Sequence, residues 1–129
     1  MNRTRLVLMI SLAVLIVSLG CSSSFQELPL LRQEIEVGDR QREWALVYFQ
    51  SWRQHKDGSY LILSRQHMAS AVELWFRLQL RIGHSYPDFY LIDKRRRKGC
   101  EFLDEIDRLA LKFNVPVFNL SQTGCLSAS

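Results

Sequence analysis

Apolar residues along this chain alternate between long and short runs, and the length of each run sets the element it predicts. Leu6 to Leu19 is apolar except at Ser11 and Ser18, long enough for a helix of roughly 21 Å but short against about 30 Å of bilayer hydrocarbon. Ser22 to Gly38 has no sustained period and reads as a linker. From Asp39, a helix cap, the positions Trp44, Val47, Tyr48, Trp52 and His55 share one helical face, with Arg42, Glu43, Gln50 and Arg53 elsewhere. Gly58 is the expected stop.

Three shorter apolar runs have the texture of strands covered on both faces. They are Tyr60 to Leu63, Phe89 to Ile92, and Asn114 to Leu120, the last with Pro116 favouring an edge or a strand start. Between them, His67 to Ile82 carries a charged stripe of Glu73, Arg77 and Arg81 against a broad apolar surface that includes Met68, Val72, Trp75 and Leu78. A further helix places Phe102, Leu103, Ile106, Leu109, Ala110 and Phe113 inward, its acids early and Arg108 and Lys112 late, in accord with the helix dipole. Strand, helix, strand, helix, strand predicts an α/β domain. It would hold about three short, mainly parallel strands and three helices in two or three layers, after an N-terminal signal or anchor helix. The expected boundaries are 1–20 for the leader, 21–38 for a tether and 39–129 for a single domain.

The leader adds a compartment. Arg3 and Arg5 precede the apolar run and Gly20-Cys21-Ser22-Ser23-Ser24 follows it, which is the layout of a secretory signal. Val17-Ser18-Leu19-Gly20-Cys21 resembles the lipobox of bacterial lipoproteins, with Ser18 where that pattern more often has leucine. The resemblance implies cleavage before Cys21, acylation of its sulfur, and residence in the bacterial cell envelope facing the periplasm. Ser22 after the cysteine implies the outer membrane over the inner. An uncleaved anchor would have the same orientation, because the arginines hold the amino end in the cytoplasm.

The formal charge of the whole chain is +4, but two of its 17 basic residues belong to the leader and all 13 acids lie beyond it. Nucleic acid is therefore not an expected partner. With Cys21 assigned to lipid, Cys100 and Cys125 remain as an even pair in an oxidising compartment. A disulfide between them would stabilise the domain by about 3.5 kcal/mol on the chain-entropy model. The competing reading is a reactive thiol at Cys100, since it follows a basic run and a predicted helix start. Three scattered histidines give no metal-ligand spacing, and no cofactor is expected.

Few residues carry candidate chemistry. In a parallel sheet, ligands collect beyond the strand ends, which draws Ser64, His67 and Asp93 together as a possible hydrolase group, although no Gly-x-Ser-x-Gly surrounds the serine. Pro87-Asp88 with Asp93-Lys94-Arg95 resembles the Pro-Asp…Asp/Glu-x-Lys pattern of restriction-type nucleases, but Arg95 stands where that family has lysine. Lys94, Arg95, Arg96, Arg97 and Lys98 form a basic run suited to anionic lipid headgroups, lipopolysaccharide phosphates or an acidic protein. The expected function is a non-enzymatic accessory lipoprotein, of assembly, secretion, conjugation or exclusion type, that binds another envelope protein. The alternatives are an exported hydrolase or nuclease and a membrane-anchored binder of anions.

Overall fold

The structure, a computed structural model, describes residues 31–117 and 123–125. The chain divides into two compact units, Met1–Gln33 and Glu34–Ser129. The described residues contain three helices: α1 over 31–55, α2 over Gly58–Ile82 and α3 over Asp88–Lys112, followed by a 3-10 turn at Thr123–Cys125. There is no strand among them.

The expected α/β sheet is therefore replaced by a helical bundle. Tyr60 to Leu63 form the first full turn of α2, and Phe89 to Ile92 the first turn of α3. Asn114 lies in a turn, Val115 to Val117 are irregular, and the rest of the expected third strand lies outside the described residues. The proposed caps also shift. Asp39 and residues 31–38, expected as helix start and tether, lie within α1, and Gly58 opens α2 rather than closing α1. The acids Glu101, Asp104 and Glu105 fall in the middle of α3, so the macrodipole does not account for them.

A seven-residue repeat explains the bundle. Gly38, Ala45 and Trp52 recur along α1, Leu61, Met68 and Trp75 along α2, and Phe89, Arg96, Leu103 and Ala110 along α3; all are buried. Ser64 and Arg65, Ala71 and Val72, and Leu78 and Gln79 fill the intermediate positions of α2, giving the 3.5-residue seam of packed helices. Contacts fix the directions. Ser64 Oγ donates to the Ala45 carbonyl at 2.6 Å, Trp52 packs with Leu61, and Arg81 pairs with Glu34, so α1 and α2 are antiparallel. Arg65 meets Asp107 at 2.7 Å and Gln79 meets Asp93 at 2.9 Å, so α2 and α3 are antiparallel as well.

The core has two apolar zones, one of Ala45, Met68, Val72 and Leu103, the other of Trp52, Leu61, Ile106 and Ala110. Small residues let large ones in. A Cβ on Gly38 would lie 2.3 Å from Trp75 Nε1, so α1 can pass over that indole only because position 38 has no side chain. At the turn into α2, the Asp57 carboxylate accepts from the Ser59 amide at 3.0 Å, a cap that holds its pKa below the ordinary 3.8. No helix among the described residues is long and apolar enough to cross a membrane.

Candidate functional site

Because α2 packs against both other helices, two grooves flank its outer surface. In the α2–α3 groove a buried polar cluster holds the chain's 3-10 turn. Gln79 Nε2 donates to Asp93 Oδ1 at 2.9 Å, and Arg96 donates from Nε to Gln79 Oε1 at 2.7 Å and from Nη2 to Asp93 Oδ1 at 3.0 Å. The remaining arm of Arg96, Nη1, reaches the Gly124 carbonyl at 2.8 Å. Arg97 covers the other oxygen, with Nε 2.7 Å from Asp93 Oδ2. Burial alone would raise the Asp93 pKa, but the hydrogen bonds from Gln79, Arg96 and Arg97 outweigh it and hold the carboxyl at about 2.

Two glycines seat the turn. A Cβ on Gly99 would meet Val72 Cγ2 at 2.6 Å and one on Gly124 would meet Val72 Cγ1 at 2.8 Å, so Val72 fills the space both leave. Cys100 and Cys125 lie at disulfide distance beside them, with Cα atoms 5.7 Å apart. Cys100 is in the middle of α3, not at a helix start, which removes the helix-terminus argument for a reactive thiolate.

The α1–α2 groove is different. Trp44, Tyr48, His67 and Tyr60 form a continuous aromatic strip: Trp44 to Tyr48 is 5.9 Å between ring centres, Tyr48 to His67 5.4 Å, and Tyr48 to Tyr60 6.4 Å. Gln41 Oε1 is 2.7 Å from His67 Nδ1 and orients the ring. Trp44 is 52% exposed and Val47 55%. The rings joined by these contacts, Trp44, Tyr48, Tyr60 and His67, include no Asp, Glu, Lys or Arg side chain among them. Sequence periodicity assigns Trp44 to the core along with Trp52; only Trp52 is there.

No family model, no curated protein and no solved structure matches this chain.

The residues singled out in the sequence scatter over this frame. Ser64 is fully buried and bonded to Ala45, His67 faces Gln41, and Asp93 joins Gln79, fifteen residues beyond Ser64 along α2 and so about 22 Å away. They form no hydrolase group. Asp88 and Asp93 lie on one helix, and both oxygens of Asp93 are taken by cations and Gln79, which removes the nuclease-like geometry. The basic run is wound around α3. Arg96 points inward, Arg95 pairs with Asp39 at 3.2 Å, and Lys94, Arg97 and Lys98 remain on the outer side. Cys21 lies outside the described residues. No group of three His, Cys, Asp or Glu side chains converges among the described residues.

What sequence reasoning missed is the pair of grooves. Gln79 and Arg96 would have been found by asking why polar residues occupy core positions of a seven-residue repeat. The aromatic strip leaves no comparable signal, since its residues are spaced as core residues are. Chemically, the closed groove is a clamp with its polar groups engaged, whereas the open one leaves the Trp44 ring more than half exposed beside three half-buried rings.

Proposed function

We propose that this chain is a small lipid-anchored protein of the bacterial envelope whose helical bundle binds another envelope protein without catalysis, as an assembly, secretion or conjugation-related accessory factor. The observation that carries the reading is the α1–α2 strip of Trp44, Val47, Tyr48, Tyr60 and His67, in which Trp44 and Val47 are more than half exposed, the other three are half-buried, and no Asp, Glu, Lys or Arg takes part. Aromatic residues that bury a ring while keeping a polar edge are the usual anchors of protein interfaces. An uncharged face selects a partner of like chemistry, namely an apolar, weakly charged helix or sheet surface, since a charged partner would be desolvated there without compensation. The signal-like leader ending at Cys21 supports the anchor, and the Cys100–Cys125 pair supports an oxidising compartment.

Photo-crosslinking in intact cells tests the binding face. A crosslinker at Val47 is expected to capture one discrete partner that a crosslinker at Glu105, on the exposed side of α3, does not, and Tyr48→Arg should abolish capture. Equal capture from both positions overturns the reading, as does a product with the mass of two copies of this chain. Labelling with radioactive palmitate tests the anchor: label should be present in the native chain and lost in Cys21→Ser.

A further inference from the structure

A partner can meet the open groove with a helix, a strand or a loop, and the spacing of the groove's own walls decides among them. On α1, Val37, Trp44 and Ser51 stand seven residues apart, with Val47 three beyond Trp44. On α2, Tyr60, His67 and Leu74 repeat at the same interval, with Leu63 three beyond Tyr60. Val37 is 42% exposed, Trp44 and Val47 more than half, and the others are half-buried. Neither series belongs to the core repeat, which runs through Gly38, Ala45 and Trp52 on α1 and Leu61, Met68 and Trp75 on α2. Each helix therefore carries a second seam, one residue and so about 100° from its first.

The two second seams are the walls of one groove. Trp44 lies 6.4 Å from His67, and Tyr48 6.4 Å from Tyr60, between ring centres. Because α1 and α2 are antiparallel, Val37 falls toward Leu74 and Ser51 toward Tyr60. The groove thus runs for the 14 residues from Val37 to Ser51, about 21 Å or four helical turns. Charge enters these seams at Arg40 and Arg77, both toward the α2–α3 end, and Arg77 is paired with Glu73.

The other surfaces do not repeat this arrangement. Between α1 and α3, Asp39, Arg42 and Arg95 form an ion-paired cluster and Phe49 packs on Phe102. Exposed Leu46 has Asp39 and Arg53 seven residues to either side. Leu80, Tyr90 and Leu91 at one end of the bundle and Leu111 and Phe113 at the other are also exposed, but they mark both ends alike and form no seven-residue series.

A step of seven residues along a wall is about 10.5 Å, the interval at which a packed helix returns its own seam to the same neighbour. A strand shows one face every two residues, about 6.7 Å, and falls out of step with walls of that pitch. We propose that the groove takes one amphipathic helix of the partner protein, about four turns long, with apolar residues at every third or fourth position, packed against α1 and α2 as a fourth helix. The inference rests on the binding reading above and names the element by which the partner is held. A second copy of this chain does not supply that helix. The outer side of α3 carries Lys94, Arg97, Lys98, Glu101, Asp104 and Glu105, and that of α2 carries Glu73 and Arg77. The apolar seam left to a second copy is this same groove, and two grooves set face to face leave each other unfilled.

The test reads the partner's residues in register. A benzophenone amino acid is placed in the full chain, in intact cells, at Val37, Trp44, Val47 and, on the facing wall, Ser70, one position at a time. All four positions are exposed, and benzophenone keeps a large ring at position 44. Each purified variant is first shown to keep the native melting temperature, and the crosslinked peptides are then sequenced by mass spectrometry. All four positions are expected to reach one segment of one partner. The partner residues joined from Val37 and Trp44 should stand about seven apart, with the one joined from Val47 a further three or four along in the same direction. A gap of about three between the first two is the spacing of an extended chain over the same distance, and it overturns the proposal while the binding reading stands. Capture of unrelated segments from the four positions overturns it in the same way. Capture of no partner from any position, or of a second copy of this chain, overturns the binding reading and the helix with it.

Discussion

The two grooves beside α2 are built from neighbouring turns of the same helix, yet one is filled and the other is bare. The α2–α3 groove is closed by Gly124 and Cys125, tied by Arg96 and by the Cys100 pairing, with no large ring left exposed around the turn. The α1–α2 groove has Trp44 and Val47 more than half open to solvent and nothing among the described residues across it. A domain of this size gains stability by covering apolar surface and satisfying buried polar groups. One groove meets both needs internally while its twin leaves Trp44 and Val47 more than half exposed, which is why the proposed partner is assigned to the twin.

The clamp is the easier side to break. Arg96→Met removes every bond from Arg96 to Gln79, Asp93 and the Gly124 carbonyl, and leaves a buried carboxylate short of one cation; the expected cost is about 3–5 kcal/mol. Urea unfolding measures it, and a loss below about 1 kcal/mol would mean that the clamp is ornamental. Replacing both Cys100 and Cys125 with Ser should cost up to about 3.5 kcal/mol on the chain-entropy model and lower the melting temperature by at least about 10 °C. The native chain with reductant should melt like the double variant; if reductant leaves the midpoint unchanged, the two sulfurs are not bonded in solution.

Acid provides a graded version of the same break. Because the folded Asp93 pKa is held at about 2, below the ordinary 3.8, its stabilising contribution is complete above the upper value and disappears as pH falls toward the lower one. The loss across that window should be about 2 kcal/mol, and Asp93→Asn should flatten this part of the stability profile. A native profile as flat as the variant's would show that the carboxylate contributes nothing. On the open side, effects on folding should be smallest: Trp44→Ala or Val47→Ala should change stability by no more than about 0.5 kcal/mol while eliminating partner capture in cells. Instability of 2 kcal/mol or more would place those side chains in the core after all.

The sequence shows helical order wherever the inward positions are uniformly apolar. Met68, Val72, Trp75 and Leu78 mark α2, and Leu103, Ile106 and Ala110 mark the second half of α3, as does the exposed stripe of Glu73, Arg77 and Arg81. The same helices are hidden where polar side chains are buried. Ser64 and Arg65 interrupt the period just after Tyr60 to Leu63, and Asp93 and Arg96 do so after Phe89 to Ile92, so each first turn stands alone as a short apolar run and takes the form of a strand. The fold class is misread for one physical reason: these buried polar groups have key partners distant in sequence, Asp107 for Arg65 and Gln79 for Asp93, which local patterning does not reveal. Likewise, five consecutive cations read as one patch until a helix turns each by about 100° from the last. The pairing of Cys100 with Cys125 is legible from parity and expected compartment, and the structure places the two at disulfide distance.

The brevity of the two connections has a kinetic consequence. Residues 56–57 join α1 to α2, and residues 83–87 join α2 to α3. Adjacent helices thus meet through short loops, and chains whose contacts are local fold in microseconds to milliseconds. Bond formation between Cys100 and Cys125 waits instead on an oxidant and takes seconds to hours. The helices can therefore be fully packed long before Cys100 and Cys125 are joined, and on the proposed export route that interval begins once the chain reaches an oxidising compartment.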